Sequence, residues 1–197
     1  MATTVYTMES ANLIIGDSRP PNSGGGGNAA AGAPGISTHL VLQELKLPGL
    51  EENYVDHAPG GAMVAIEIPT HINKLEATFN LAGWNPDVMK YLASNNPTQQ
   101  RFTAYGLVRD RRTAAAHQTL AIIEGRLGRV NPTAFSKGNL MSHEYSIKSI
   151  VQYQLWMQMT AGNTRPNEIY YWDFFTSRFR VGRVELSNET VNLLRIP

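Results

Sequence analysis

Four stretches, 101–110, 119–130, 142–159 and 168–184, are dense in Tyr, Ile, Val, Phe and Trp and hold no proline. Residues that favour a pleated, half-buried surface, in runs up to eighteen long, restrict such a chain to a mainly β architecture. Ordinary strands run to about five or six residues, and a long open edge invites other strands to pair with it. Either the sheet closes on itself or neighbouring molecules complete it. The expected pairing is two hairpins. Arg101–Asp110 joins Thr119–Val130 across a tip at Arg111–His117, and Ser142–Met159 joins Glu168–Val184 across Gly162–Asn167. Val151 and Phe175, in the middle of the aromatic strands, are the expected inter-subunit strand positions.

The first half has shorter elements. Val5–Ile15 ends in Leu13-Ile14-Ile15 and stops at Gly16-Asp17, a strand running into a turn. Residues 17–37 are almost wholly Gly, Ala, Pro, Ser and Asn, a composition that buries nothing and is expected to be a flexible loop. Its Gly24–Gly27 run lacks the Lys-Ser/Thr ending of a phosphate loop. His39–Leu47 breaks phase once between Leu42 and Leu45, which predicts a bulged strand. Glu51–Gly61 is polar and turn-rich and is expected to project as a loop over 51–62; Met63–Ile68 then resumes as a strand ending at Pro69. Leu75, Ala77, Phe79 and Leu81 alternate with polar residues, so one face of that strand is core. Asn85-Pro86-Asp87 supplies an N-cap, a proline at the first helical position and an acid in the first turn, predicting one short helix over about 85–94.

With 197 residues, 42% hydrophobic, one core of ordinary size is expected, hence a single domain over 1–197. The absence of cysteine excludes a disulfide framework, a thiolate zinc site and a cysteine nucleophile. No apolar run approaches the ~18 residues of a membrane span, and Met1-Ala2-Thr3-Thr4 does not open a signal peptide, so the chain is expected to be soluble and unexported. A net charge of +1 argues against a broad nucleic-acid-gripping face. Charge is nevertheless unequal along the chain. Residues 1–100 hold nine acids and four bases, residues 101–197 seven acids and thirteen bases, giving −5 against +6. Two readings stay open: complementary faces for head-to-tail association, or strands of both halves interleaving so that the difference cancels in space.

Catalytic constellations are not evident. The histidines at 39, 57, 71, 117 and 143 have no zinc-ligand spacing. Asp17-Ser18 after Gly16 is followed by Arg19-Pro20-Pro21 where a hydrolase helix would start, and Asp56-His57 has no serine partner. Arg109, Arg111 and Arg112 around Asp110 read as a solvated basic tip, with phosphate contact as the alternative. The Asn188-Glu189-Thr190 sequon carries no weight without a signal peptide. No metal site and no cofactor is expected.

One stretch is specific. Leu45-Lys46-Leu47-Pro48-Gly49-Leu50, Glu52-Asn53-Tyr54, Gly60-Gly61-Ala62-Met63, Leu75-Glu76-Ala77-Thr78-Phe79 and Gly83, with Met8-Glu9-Ser10-Ala11-Asn12-Leu13 upstream, resemble the signature of the major tail tube proteins of contractile-tailed phages and related R-type bacteriocins. The motifs cover residues 8–16 and 45–93; the 17–37 insertion is longer than that family's turn, and its usual C-terminal ending is not evident in 181–197. The resemblance implies a β-sandwich or barrel with one flanking helix. It implies hexameric rings whose inner strands join a continuous barrel, stacked into the inner tube of a contractile tail through which DNA is ejected. Implied partners are further copies of the chain, the tail sheath outside, the tape-measure protein and passing DNA inside, and the baseplate and tail terminator at the ends, in a virion assembled in the host cytoplasm. By the same resemblance the loop carrying Glu51, Glu52, Asn53, Tyr54 and Asp56 reaches the adjoining ring, where its acids meet the arginine-rich half of a neighbour. A bore through which DNA slides requires inward-facing acidic or neutral side chains, and Glu67, Glu76 and Glu144 on strands are the candidates. The alternatives are the tube of a bacterial contractile injection or type VI secretion apparatus, or a free β-barrel binding module or hydrolase using Asp17, Ser18 and a histidine.

Overall fold

A computed structural model of the chain describes residues 5–16, 35–58, 60, 63–92, 98–134, 137–138, 140–157 and 167–187. In chain order the elements are β1 (Tyr6–Ile15), β2 (Ile36–Ser37), β3 (Leu42–Lys46), β4 (Glu52–His57), β5 (Ile66–Ile72), β6 (Ala77–Ala82), α1 (Pro86–Met89), β7 (Gln100–Asp110), β8 (Ala116–Pro132), β9 (Ser142–Met157), β10 (Asn167–Asp173), β11 (Arg178–Val181) and β12 (Val184–Glu185). The protein is mainly β, antiparallel throughout its named ladders, with one short helix.

The long β8–β9 pairing is the axis. On the far side of β8 lie β7, β1 and β2; on the far side of β9 the edge is shared, with β6 and β3 along its first half and β10, β11 and β12 along its second. The β8–β9 register shifts between Glu124 and Arg126 and again between Leu127 and Arg129, and the first, larger shift makes a bend. Gly125 of β8 stands opposite Ser149, Ile150 and Val151 of β9, because the register passes from Glu124–Gln152 to Arg126–Lys148. Ser149 has φ +51°, the left-handed conformation a bulge of this kind requires. The bend lets Phe79, Leu81 and Tyr145 from one half meet Leu13, Ile15, Phe102, Ile123 and Tyr153 from the other in one core. Phe79 and Tyr145, cross-strand partners, stack with centroids 5.0 Å apart. The connection from β2 to β3 closes the seam. Buried Thr38 donates from its amide and its hydroxyl to the Leu13 carbonyl, and Ala82 donates its amide to the Val41 carbonyl.

The expected bulge in 39–47 falls between Leu42 and Glu44. Strands from both halves of the sequence interleave, β1 on β7 and β6 on β9, but Glu52, Asp56 and Glu67 stand on the separate β4–β5 pair, so the charge asymmetry is only partly mixed within the main sheet.

Several boundaries differ from expectation. Asn85 caps α1 through its side-chain oxygen, which accepts from the amides of Asp87 and Val88, but the helix ends at Met89 and not near 94. Leu92 leaves the helical path to form a bridge with Leu127 of β8, so sheet pairing takes over from the second turn. Residues 93–97, like 17–34 and the 158–166 connection, lie outside the described residues. The stretch 168–184 is not one strand. Asp173 accepts from the amides of Phe175 and Thr176, Ser177 adopts φ +51°, and the chain reverses into β11 and then β12. Asparagine and aspartate stop strands in this way, by offering the backbone a local acceptor.

A Cβ added at Gly125 would stand 3.0 Å from the Ile147 side chain and 3.1 Å from the Lys148 carbonyl oxygen. Gly125→Val is therefore expected to destabilise the fold by about 1–3 kcal/mol, as overpacking does. Denaturant unfolding measures it, and unchanged stability would show that the bend tolerates a side chain.

Candidate assembly surfaces

Where a projecting loop was expected, the chain forms a two-stranded hairpin. β4 and β5 make their substantial contacts only with each other, and none of their residues joins the core. The strand does not stop at Pro69, which sits within β5 opposite Tyr54, next to a register shift. A two-stranded ribbon is all edge, and proline is tolerated where its missing N–H faces outward.

The pairing sorts the hairpin into two faces. Val55, Ile68 and Ile66, with His57, occupy one; Tyr54, Pro69, Asp56 and Glu67 occupy the other. The apolar face is bare: Val55 is 52% exposed, Ile66 58% and Ile68 44%. On the other face Asp56 and Glu67 are directly opposed like charges, a destabilising arrangement in an isolated ribbon. The Tyr54 hydroxyl donates to Glu52 at 2.8 Å, and that bond holds the phenol above its ordinary pKa. Glu51 and Asn53 stand at the root, where the Glu51 carbonyl accepts from the amide of Asn73. All five predicted loop residues are thus on or beside β4.

The other predicted residues are dispersed. Glu67 belongs to the hairpin. Glu144 lies on β9 opposite Asn80, on the outer side of the sheet, and Glu76 on the approach to β6 pairs with Lys148 at 3.6 Å. Val151 is inside the β9 bulge, where its carbonyl accepts from the amide of Phe174. Phe175 was expected on a strand and is on the β10–β11 turn, 72% exposed, because Asp173 captures its amide. Within the subunit Phe175 is on a turn and not on a strand. The basic tip is tied down: Arg109 binds both oxygens of Glu9, at 2.6 and 3.0 Å, and lowers that carboxyl's pKa by the hydrogen bond. Asp17 and Ser18 lie outside the described residues. Among the described residues no three His, Asp or Glu side chains group as a metal site.

Sequence reasoning missed a cavity. About 610 Å³ opens beside the hairpin's root, bounded by Ile72, Leu75, Ile150, Tyr170, Trp172 and Phe174, with Lys74, Lys148 and Glu76 also lining it. Tyr170 is 4% exposed, and its hydroxyl has no hydrogen-bond partner among the described residues. The available signal was the aromatic alternation of 170–174; only the turn at Asp173 puts it beside the β9 bulge. A second feature is the outer face of the long strands, where Arg101, Glu124, Gln152, Asp173 and Arg178 stand opposite one another strand by strand.

The profile of the family described as phage tail tube protein FII matches residues 30–182. No curated protein matches the chain significantly. Among solved structures, a chain of the anti-feeding prophage baseplate is similar, at 10% identity and TM-score 0.48 over 80% of this chain and 97% of that one. A chain from the sheath/tube terminator of an extracellular contractile injection system gives 9% and 0.45, over 76% and 93%. One from the sheath–tube complex of such a system gives 8% and 0.46, over 77% and 89%.

Burial pushes the Tyr153 and Tyr170 hydroxyls up to about 12, Tyr153 helped by Tyr170 beside it. Unfolded, both ionise near 10, so their contribution to stability is whole below pH ~10 and is lost as pH rises through about 12. Tyrosinate absorbance is expected to show two late-ionising hydroxyls, and Tyr153→Phe with Tyr170→Phe to flatten the alkaline loss of stability. An unaltered alkaline profile in that double variant would contradict the assignment.

Proposed function

This chain belongs to the phage tail tube protein FII family, and is a structural tube component of the particle it builds; from that premise we propose that it polymerises as hexameric rings stacked into the inner tube of a contractile tail, the conduit for ejected DNA. The observation that carries this reading is the β4–β5 hairpin. A lone two-stranded ribbon is marginal in water, and this one adds a bare β-branched face and an opposed pair of acids. Such an element is stabilised by what it docks on. Its receiving surface is elsewhere on the chain, so the contact is heterologous, and heterologous contacts close into rings or run on as stacks. Glu51, Glu52, Asn53, Tyr54 and Asp56 then lie at the junction between adjoining rings.

The polar outer face of β7, β8 and β9 is the surface suited to the bore. On it Arg126 stands opposite Lys148, which itself pairs with Glu76, and Arg101 stands opposite Glu124; Glu144 lies further along β9. Paired as Arg101 is, arginine gives passing phosphates little salt-dependent hold. Strand edges also remain for neighbours: β1 is paired on its outer side only at Ile14 and Ile15 among the described residues. Ring contacts of more than about 2,000 Å² are the size that permanent assemblies need. The sheath protein outside, the terminator and baseplate at the ends, and the tape-measure protein in the lumen are the further partners of this role, which requires no catalytic group and no cofactor.

Residues 52–72 can be excised cleanly, because Glu51 and Asn73 are already joined by a backbone hydrogen bond of 2.8 Å. Replacing them with a short Gly-Ser turn is expected to leave a folded subunit whose thermal transition is within a few degrees of wild type. Negative-stain microscopy should show no long tubes. Tubes of normal length from that variant would refute the role given to the hairpin.

A further inference from the structure

The cavity beside the β9 bulge, of about 610 Å³, combines an apolar wall with the polar residues His71, Asn73, Lys74, Glu76, Lys148 and Ser149. Ile72, Leu75, Ile150, Trp172 and Phe174 form its walls, and Phe174 is 62% exposed at its mouth. Tyr170, 4% exposed, also lines it, and its hydroxyl has no hydrogen-bond partner among the described residues. An occupant should be mainly apolar.

The apolar face of the hairpin has that composition: Val55, Ile66 and Ile68 with a single polar side chain, His57. A subunit's own hairpin cannot supply it. Its root at Ile72 forms part of the cavity wall, and Ile66 lies six residues further along an extended strand, about 20 Å away at roughly 3.3 Å per residue. Charge agrees with apolar fit. Residues 51–68 carry Glu51, Glu52, Asp56 and Glu67 and no lysine or arginine. Among the lining residues Lys74 has no ion-pair partner among the described residues, while Lys148 only offsets Glu76. An acidic ribbon meets a net basic pocket.

We propose that this cavity receives the Val55–Ile66–Ile68 face of the β4–β5 hairpin from a second copy of the chain. The proposal rests on the tube reading and deepens it by naming the acceptor. Docking buries both bare surfaces at once and leaves Asp56 and Glu67 on the outward face of the ribbon. Hairpin-in-cavity contact is also directional, so each subunit gives a hairpin to one neighbour and takes one from another.

The natural absence of cysteine makes the test direct. Ile68→Cys with Phe174→Cys, and separately Ile66→Cys with Ser149→Cys, place thiols at exposed positions on the two surfaces. Oxidised assemblies of either pair are expected to run as a ladder of covalent oligomers on denaturing gels. Mixing the single variants Ile68→Cys and Phe174→Cys should give cross-linked dimers, which only contact between different copies can produce. Tubes that form from both pairs without a ladder would overturn the contact while leaving the tube reading intact. A wild-type chain that never rises above a monomer would overturn both.

Discussion

Hydrogen bonding between β8 and β9 is the interaction on which the other elements depend. Each carries neighbours on its other edge: β7 and through it β1 on β8, and both β6 and β10 on β9. Because both edges of an interior strand are occupied, the two can be far longer than the average strand without presenting a free ladder to solvent. The bend is built into that pairing. Three residues of β9 oppose one glycine of β8, and a serine takes up the left-handed conformation, so a single ladder runs through both halves of one sheet that share one core.

From this arrangement follows a division of labour. Residues on the inner face make the core and are insensitive to what surrounds the subunit. Those outside the fold, above all β4 and β5, lack a layer to pack on. On the proposed reading their stability as an element is tied to association, in the sense that whatever binds the ordered form stabilises it. In the proposed tube the connecting element becomes firm only in the assembled state. The acidic character of 51–68 guards the free hairpin against indiscriminate strand pairing, as charges on exposed edges do.

Much of the fold was legible in the sequence for local reasons. The Leu75–Leu81 alternation, the Asn85-Pro86-Asp87 start of the helix, the phase break near Leu42 and the long strands from Arg101 onward all reflect short-range rules, and the structure follows them. What escaped notice depended on tertiary context. Val64, Ile66 and Ile68 alternate as a core strand would, yet they face no core, because their partner β4 is polar and the pair is detached from the main sheet. Conversely, aromatic residues from 170 to 175 looked like one strand; Asp173, whose side chain caps the next turn, breaks it. Helix α1 ended early for a similar reason, Leu92 being drawn to Leu127. The tail tube signature at 45–83 spans the hairpin, whose two strands the polar, turn-rich composition of 51–61 did not announce.

Native-state hydrogen exchange on the subunit, held dilute enough to remain unassembled, tests the central claim most directly. If the β8–β9 ladder holds the fold while β4 and β5 depend on a neighbour, amides of 120–123 and 145–154 should exchange slowly, near the rate set by global unfolding, and those of 52–57 and 66–72 should exchange almost as freely as an unstructured peptide. Strong protection of the hairpin in the isolated subunit, comparable to that of β8 and β9, would contradict the account.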